Sequence, residues 1–317
     1  MPDPANAIPT AVTIGNFDGV HLGHAALVHR ARDLVGARGR VVAVAFDPHP
    51  FTRLRPAAAP ARLTGFTRRV ELLMAAGADE VVRLEPTDEL LATSPEAFMQ
   101  SVRERHAPSW LVEGPDFHFG KGRAGGVLTL ARLGRELGYA TIVVDPVEVA
   151  LGDHLVARAS SSLVRWLVTQ GRVRDAALVL GRPYELAGEV RRGDRRGRTI
   201  GFPTANLATD CLLPADGVYA ATATLPGGGV HRAAVNVGAR PTFSGVERRT
   251  EVHLLDLGGS ASVGTIDGLP EYDWPLTIRL ESWLRDQVRF ESVHALSDQL
   301  ARDVHRVRDL LPTPTPA

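Results

Sequence analysis

The segment "TIGNFDGVHLGH", residues 13–24, sets His21 and His24 three residues apart behind a glycine-bearing turn. Imidazoles at i and i+3 on a starting helix face one way. They can ligate one metal, donate together to one anion, or cap the helix as polar decoration. Backbone N–H groups at a helix start carry partial positive charge and favour an anion such as phosphate. A zinc site needs a further ligand, and no nearby cysteine or acidic residue completes that spacing. Three more segments carry groups suited to phosphates. "FDPHP", residues 46–50, supplies Asp47 and His49 at the end of a second apolar run. "EGPDFHFGKGRAGG", residues 113–126, supplies Asp116, Lys121 and Arg123 in a glycine-rich loop. "SSSLVR", residues 160–165, offers three hydroxyls and a guanidinium at a helix start, a grip for a polyphosphate.

The second half carries its own chemistry. In "GRTIGFPTANL", residues 197–207, a Gly-Phe-Pro turn precedes Thr204 and Asn206 at alternate positions. Two oxygen-bearing side chains so placed are hard donors suited to Mg²⁺ on ATP phosphates, or else the polar edge of a strand. In "RRTEVHLLD", residues 248–256, Glu251 interrupts a strand that is otherwise apolar on alternate positions. It is either a solvent-face carboxylate or an inward-facing base. The basic run "RRGDRRGR", residues 191–198, reads as a solvated hairpin.

These groups need elements to hold them. In the first half "AVTIGNF", "VVAVAFD", "EVVRLE", "WLVEG" and "TIVVD" read as strands, and their continuous apolar runs suit a parallel sheet buried on both faces. Helices are expected between them, over residues 24–36 and 67–76 for example. The alternation predicts a doubly wound α/β domain, with ligands at the carboxyl ends of the strands. Residues 160–181 carry a helical period and read as a bridging element. Beyond residue 182, "YELAGEVRRG", "GVYAATATL", "HRAAVNVG", "RTEVHLLDL" and "LTIRLESWLR" have period-2 patterning with turn signals, which predicts an antiparallel barrel or sandwich. A terminal helix is expected over residues 293–311, with one apolar stripe of Val293, Leu296, Leu300, Val304, Val307 and Leu311. The domains expected are therefore residues 1–165, a linker helix 166–181, a barrel domain 182–311 and a disordered tail 312–317.

The chain has 317 residues, 44% hydrophobic and 23% charged, which suits two globular domains. Lys+Arg and Asp+Glu both number 36, so no global positive field gathers nucleic acid. Cys211 is the single cysteine, which excludes an intramolecular disulfide. The first ten residues lack the basic and apolar regions of a signal peptide, and no apolar run nears the ~18 residues of a membrane span. The expectation is a cytoplasmic protein with no membrane or nucleic-acid partner. A homo-oligomer is compatible with the sequence.

Four segments match a known pattern in order: G-x-F-D-G-x-H-x-G-H at 15–24, F-D-P-H-P at 46–50, G-x-D-F-x-F-G-x-x-R-x-G at 114–125 and S-S-S-x-x-R at 160–165. Pro-Thr-Ala-Asn follows at 203–206. With these the chain resembles the bacterial bifunctional riboflavin kinase/FAD synthetases, from about residue 13 to residue 311. The resemblance implies two reactions with Mg²⁺-ATP: phosphorylation of riboflavin to FMN, and adenylylation of FMN to FAD with release of pyrophosphate. It gives His21 and His24 the charge developing on the α-phosphoryl group. Gly15, Asn16, Phe17 and Asp18 would form the turn around the nucleotide. Asp47 would help place Mg²⁺, and Asp116, with Phe117 and Arg123, would bind in the flavin or metal region. Ser161, Ser162 and Arg165 would hold the β- and γ-phosphates. In the second half Gly201, Phe202 and Pro203 would border the nucleotide, Thr204 and Asn206 would ligate Mg²⁺, Glu251 would be the general base, and Asn236 would border the flavin. The glycine-rich part adjacent to the basic run would form a flap over ADP and phosphate. The family normally continues through a short turn into Leu-Tyr-Gly, where this chain has a longer, glycine-rich segment ending in Tyr272 and Trp274. Two alternatives follow: a protein with only the FMN adenylyltransferase half active, or a non-catalytic flavin-sensing regulator.

Overall fold

A computed structural model of the chain describes residues 8–193, 197, 200–242, 245–257, 266 and 268–313. The expected tail from residue 314 onward, parts of the basic run 191–198 and most of the segment between Asp256 and Trp274 lie outside the described residues. The chain divides into two units. One comprises Met1–Ala61, Gly65–Ala150 and Leu155–Ser161; the other comprises Arg62–Thr64, Leu151–His154 and Ser162–Ala317.

In the first unit β1 (Thr10–Gly15), β2 (Arg40–Phe46), β3 (Glu80–Leu84), β4 (Trp110–Glu113) and β5 (Ala140–Val143) form a sheet of order β3-β2-β1-β4-β5. Every pair in it is parallel. Successive strand residues alternate between faces. Ala11, Val41, Ala43 and Ala45 therefore pack with Val28, Ala31 and Val35 of α1 (Leu22–Val35) and Leu73 of α3 (Phe66–Ala75). Val12, Ile14, Val42 and Val44 pack on the other side, with Phe98, Met99 and Val102 of α5 (Pro95–His106) and Leu130 and Leu133 of α6 (Val127–Leu137). A sheet covered on both faces is why its strands are apolar without alternation. Short helices α2 (Phe51–Leu54) and α4 (Asp88–Leu91) and a two-stranded pair, β6 (Glu148–Ala150) with β7 (Val156–Arg158), complete the unit. The chain turns from one half of the sheet to the other between β1 and β4, the switch point at which such sheets open a crevice.

In the second unit the expected single bridging element is two helices, α7 (Ser161–Thr169), whose first residue belongs to the first unit, and α8 (Val173–Leu180). Gly171 at φ 72° breaks them apart. The barrel-or-sandwich alternative resolves to a closed barrel. β8 (Tyr184–Arg191), β9 (Ala205–Ala208), β10 (Gly217–Thr224), β11 (Val230–Thr242), β12 (Gly245–Leu254) and β13 (Pro275–Arg285) close in the order β10-β11-β12-β9-β8-β13, with β13 back on β10. Tyr184, Leu186, Tyr219, Ala221, Val235, Val237, Val252, Ile278 and Leu280 are buried and fill it. The terminal helix α9 (Val293–Leu310) lies outside, where Val307 and Val304 pack with Val218, Ala220, Leu255 and Leu284. The expected apolar stripe holds except at its start, where Val293 is 64% exposed. Beside the stripe Asp303 is buried, and its carboxylate takes the Arg285 guanidinium at 2.7 Å, which supplies the partner a buried charge needs.

Candidate active sites

The turn after β1 is held in an uncommon backbone shape. Phe17, Gly19 and Val20 have φ of 47°, 85° and 41°, and a β-branched residue in that region is strained. Surrounding contacts over-determine it. Phe17 and Val20 are sunk in the core, the Val20 N–H donates to the Phe17 carbonyl at 3.1 Å, and the Ser161 hydroxyl donates to the Asp18 carbonyl at 2.8 Å. His21 is the N-cap of α1, so its position relative to the first turn is fixed. The His21 and His24 rings stack with centroids 3.7 Å apart, and Phe17 meets His24 edge-on at 5.2 Å. Gly23 lets them do so, because a Cβ there would sit 3.1 Å from the His21 ring. The two imidazoles thus stand as one paired surface at the switch-point end of the sheet, beside a helix start suited to an anion.

Asp47 follows β2 at the same end. Its carboxylate is buried and pairs with both the Arg69 and the Arg83 guanidinium. Arg69, also buried, further donates to the Asn16 carbonyl at 2.7 Å and the Phe46 carbonyl at 2.9 Å, tying the two turns together. Nothing in the sequence singles out this arginine within "FTRRVELLMA", since its partners lie 22 and 53 residues away. Asp116 pairs with Arg158 at 2.6 Å. Phe117 stacks on Phe119 at 5.4 Å, and the loop closes through paired Phe119 and Gly125 backbone bonds of 3.0 Å. Arg123 sits in this loop at φ 61°. Ser162 and Arg165 follow Ser161 on α7 and belong to the second unit.

Glu113, at the end of β4, is a further buried carboxyl. Its Oε1 accepts the Ile14 N–H at 2.6 Å, bridging β4 to β1 beyond their last paired residues. Burial pushes its pKa well above the ordinary value of 4.5, against the Ile14 bond. The native state then holds a proton that the unfolded chain has released, so stability is full below the unfolded pKa and falls as pH rises above it. Glu113→Gln keeps the acceptor without the charge. Its melting temperature relative to wild type is expected to be higher at about pH 8 than at about pH 5; a pH-independent difference would contradict this reading.

In the second unit the ladder gathers the other predicted residues. Glu251 on β12 lies directly opposite Asn206 of β9 and Asn236 of β11. Directly paired residues share a face. That face is opposite to the one carrying Val235, Val237 and Val252, so Glu251 points away from the barrel interior and is half-buried. The inward-facing alternative for this carboxylate is thereby corrected: the interior is filled by apolar side chains. Asn236 accepts from Gln287 Nε2 at 2.7 Å. A cavity of about 370 Å³ opens beside these strands, and Phe202, Pro203, Thr204, Asn206, Tyr272, Trp274 and Arg308 are among the residues that line it. Gly201 also lines it, at φ 82°. Gly193 reaches over Asn206, where a Cβ would lie 2.0 Å from its amide nitrogen. Asp256, two residues past the end of β12, takes Arg232 at 2.6 Å and Arg308 at 3.0 Å. These bonds hold its pKa below the ordinary carboxylate value despite the opposing effect of burial, which is the largest single influence. His253, two residues from Glu251, also lines the cavity. The sequence reading passed it over, although strand alternation alone puts it on the face of Glu251.

A parallel sheet with its loops gathered at a switch point, followed by a closed barrel with a lined cavity, defines a two-module protein, and the comparisons make it a transferase. Family models agree module by module, with FAD synthetase matching residues 3–157 and riboflavin kinase matching residues 180–311. The bifunctional riboflavin kinase/FMN adenylyltransferase of Escherichia coli (strain K12) is 33% identical over 309 residues, covering 96% of this chain and 94% of that protein. That of Listeria monocytogenes is 31% identical over 306 residues, covering 95% and 92%. The crystal structure of a macrolide-efflux protein from Streptococcus pneumoniae superposes with a TM-score of 0.82 at 28% identity, covering 96% of this chain and 95% of that one. Among the described residues no helix is long and apolar enough to cross a membrane. The chain belongs to the bifunctional riboflavin kinase/FMN adenylyltransferase family.

Proposed function

We propose that the protein makes FMN from riboflavin and ATP in its barrel module and FAD from FMN and ATP in its α/β module. Residues 1–165 are the adenylyltransferase domain on this reading, 166–181 the link and 182–311 the kinase domain. The observation that carries it is the register of the barrel: Glu251 stands between Asn206 and Asn236 on one face, beside a cavity that Thr204 and Asn206 line.

In the kinase reaction Glu251 accepts the proton of the riboflavin 5′-hydroxyl as that oxygen attacks the γ-phosphorus of ATP and ADP leaves. Thr204 and Asn206 offer neutral oxygen donors to the cavity, a set that fits Mg²⁺, and would hold it. When bound, the ion neutralises charge on the ATP phosphates. Gly201, Phe202 and Pro203 border the nucleotide, and Asn236 borders the flavin with Tyr272 and Trp274. In the adenylylation a phosphate oxygen of FMN attacks the α-phosphorus of ATP and pyrophosphate leaves. His21 and His24 donate to the charge that develops there. Gly15, Asn16, Phe17 and Asp18 form the turn that sets their position, and Ser161, Ser162 and Arg165 engage the β- and γ-phosphates. Asp116, Phe117 and Arg123 belong to the flavin side. Asp47, held through both of its oxygens by Arg69 and Arg83, would help place Mg²⁺ beside the nucleotide.

Separate assays of the two halves test this. Riboflavin with ATP is expected to yield ADP, and FMN with ATP to yield pyrophosphate. Absence of either product removes the corresponding half of the proposal.

A further inference from the structure

We infer that His253 is a positioning residue of the kinase site, fixing through the Pro203 carbonyl the turn that presents Thr204 to the nucleotide-bound cation. The inference rests on the kinase reading of the cavity. His253 Nδ1 lies 2.8 Å from the Pro203 carbonyl oxygen. A carbonyl only accepts, so the ring donates from Nδ1 and is held in that tautomer. The same ring meets the Phe202 ring edge-on, with centroids 5.4 Å apart and planes at 62°. One side chain thus grips two consecutive residues of the turn, fifty positions away in sequence. Within the turn itself the Phe202 N–H donates to the Gly197 carbonyl at 2.9 Å, a local bond that does not refer the turn to any strand.

The ladder between β9 and β12 begins only at Ala205, opposite Val252. Thr204 therefore lies just outside it, and the His253 bond to Pro203 is, among the described residues, a tie that extends the register back past Thr204. Because His253 is two residues from Glu251 on the same face, the base and the oxygen donors are referenced to a single strand. Burial lowers the imidazole's pKa, with the Pro203 bond opposing and Arg308 of α9 reinforcing, which keeps the ring neutral and its tautomer defined. A group that orients a cation ligand in this way typically changes cation affinity or activity by about 10- to 100-fold when removed.

His253→Ala, His253→Asn and His253→Gln distinguish positioning from packing. The asparagine amide N–H stands near the place of Nδ1–H, and the glutamine amide near that of Nε2. Calorimetric titration with ADP, in Mg²⁺ and then in EDTA, is expected to show Mg²⁺-assisted binding weakened by about 10- to 100-fold in the Ala and Gln variants and retained in Asn. Riboflavin phosphorylation should need correspondingly more Mg²⁺ in Ala and Gln, with the KM for riboflavin unchanged. Wild-type Mg²⁺-assisted ADP binding in the Ala variant, or an Asn variant as impaired as Gln, overturns the inference alone. If the Ala variant melts early, the contrast between Asn and Gln decides. A wild-type protein that makes no FMN from riboflavin overturns the kinase reading and this inference with it.

Discussion

Glu251→Ala is expected to slow riboflavin phosphorylation by about 10²- to 10⁴-fold, the usual contribution of a positioned general base, while FMN adenylylation by the same protein is unchanged. The selectivity follows from where Glu251 sits. It belongs to the barrel unit, on the face away from the buried interior, so truncating it leaves the apolar filling of the barrel in place. Glu251→Gln sharpens the test. The amide preserves volume and polarity at the position flanked by Asn206 and Asn236 but cannot take the hydroxyl proton. Its kinase rate should match that of the alanine variant, with the KM for ATP little altered, because the interaction removed is one made in the transition state. Equal loss of both activities in either variant would refute the role assigned.

The reciprocal result is expected for His24→Ala: FMN adenylylation falls by about 10²- to 10³-fold, the scale of removing one donor from developing charge, and riboflavin phosphorylation persists. His24 is half-buried on α1 and stacked on His21, so its removal also takes away the ring that backs the buried partner. A His24→Asn variant retains a donor and is expected to lie between alanine and wild type. Full FAD synthesis in His24→Ala would make the imidazole decorative. Pyrophosphate release from FMN and ATP is the assay for both.

Much of this architecture was legible because the signals are local. Runs such as "VVAVAF" are apolar without alternation since both faces of their sheet are covered, and the turns at their carboxyl ends carry the motif residues. Other features are not local. β9 has four residues, too few to display a period, and only its pairing with β12 and β8 reveals it as the strand that carries Asn206. The helical period runs on through Gln170 and Gly171, so the break between α7 and α8 depends on a left-handed glycine that periodicity does not register. Whether β13 pairs back on β10, closing the barrel, is a matter of register across distant segments. The side chains that secure the sites follow the same rule. Glu113 meets Ile14 across 99 residues, Arg69 meets Asn16 across 53, and His253 meets Pro203 across 50. Sequence spacing therefore found the groups proposed to act on substrate, and the fold was needed to find those that hold them.

The central claim is that one chain carries both reactions. A single incubation with riboflavin, ATP and Mg²⁺, sampled over time and separated by chromatography, tests it most directly. The expected course is loss of riboflavin with appearance of FMN, followed by FAD, with ADP and pyrophosphate accumulating in step. Riboflavin left unconverted while added FMN is turned to FAD, or FMN that accumulates without any FAD, would contradict the account.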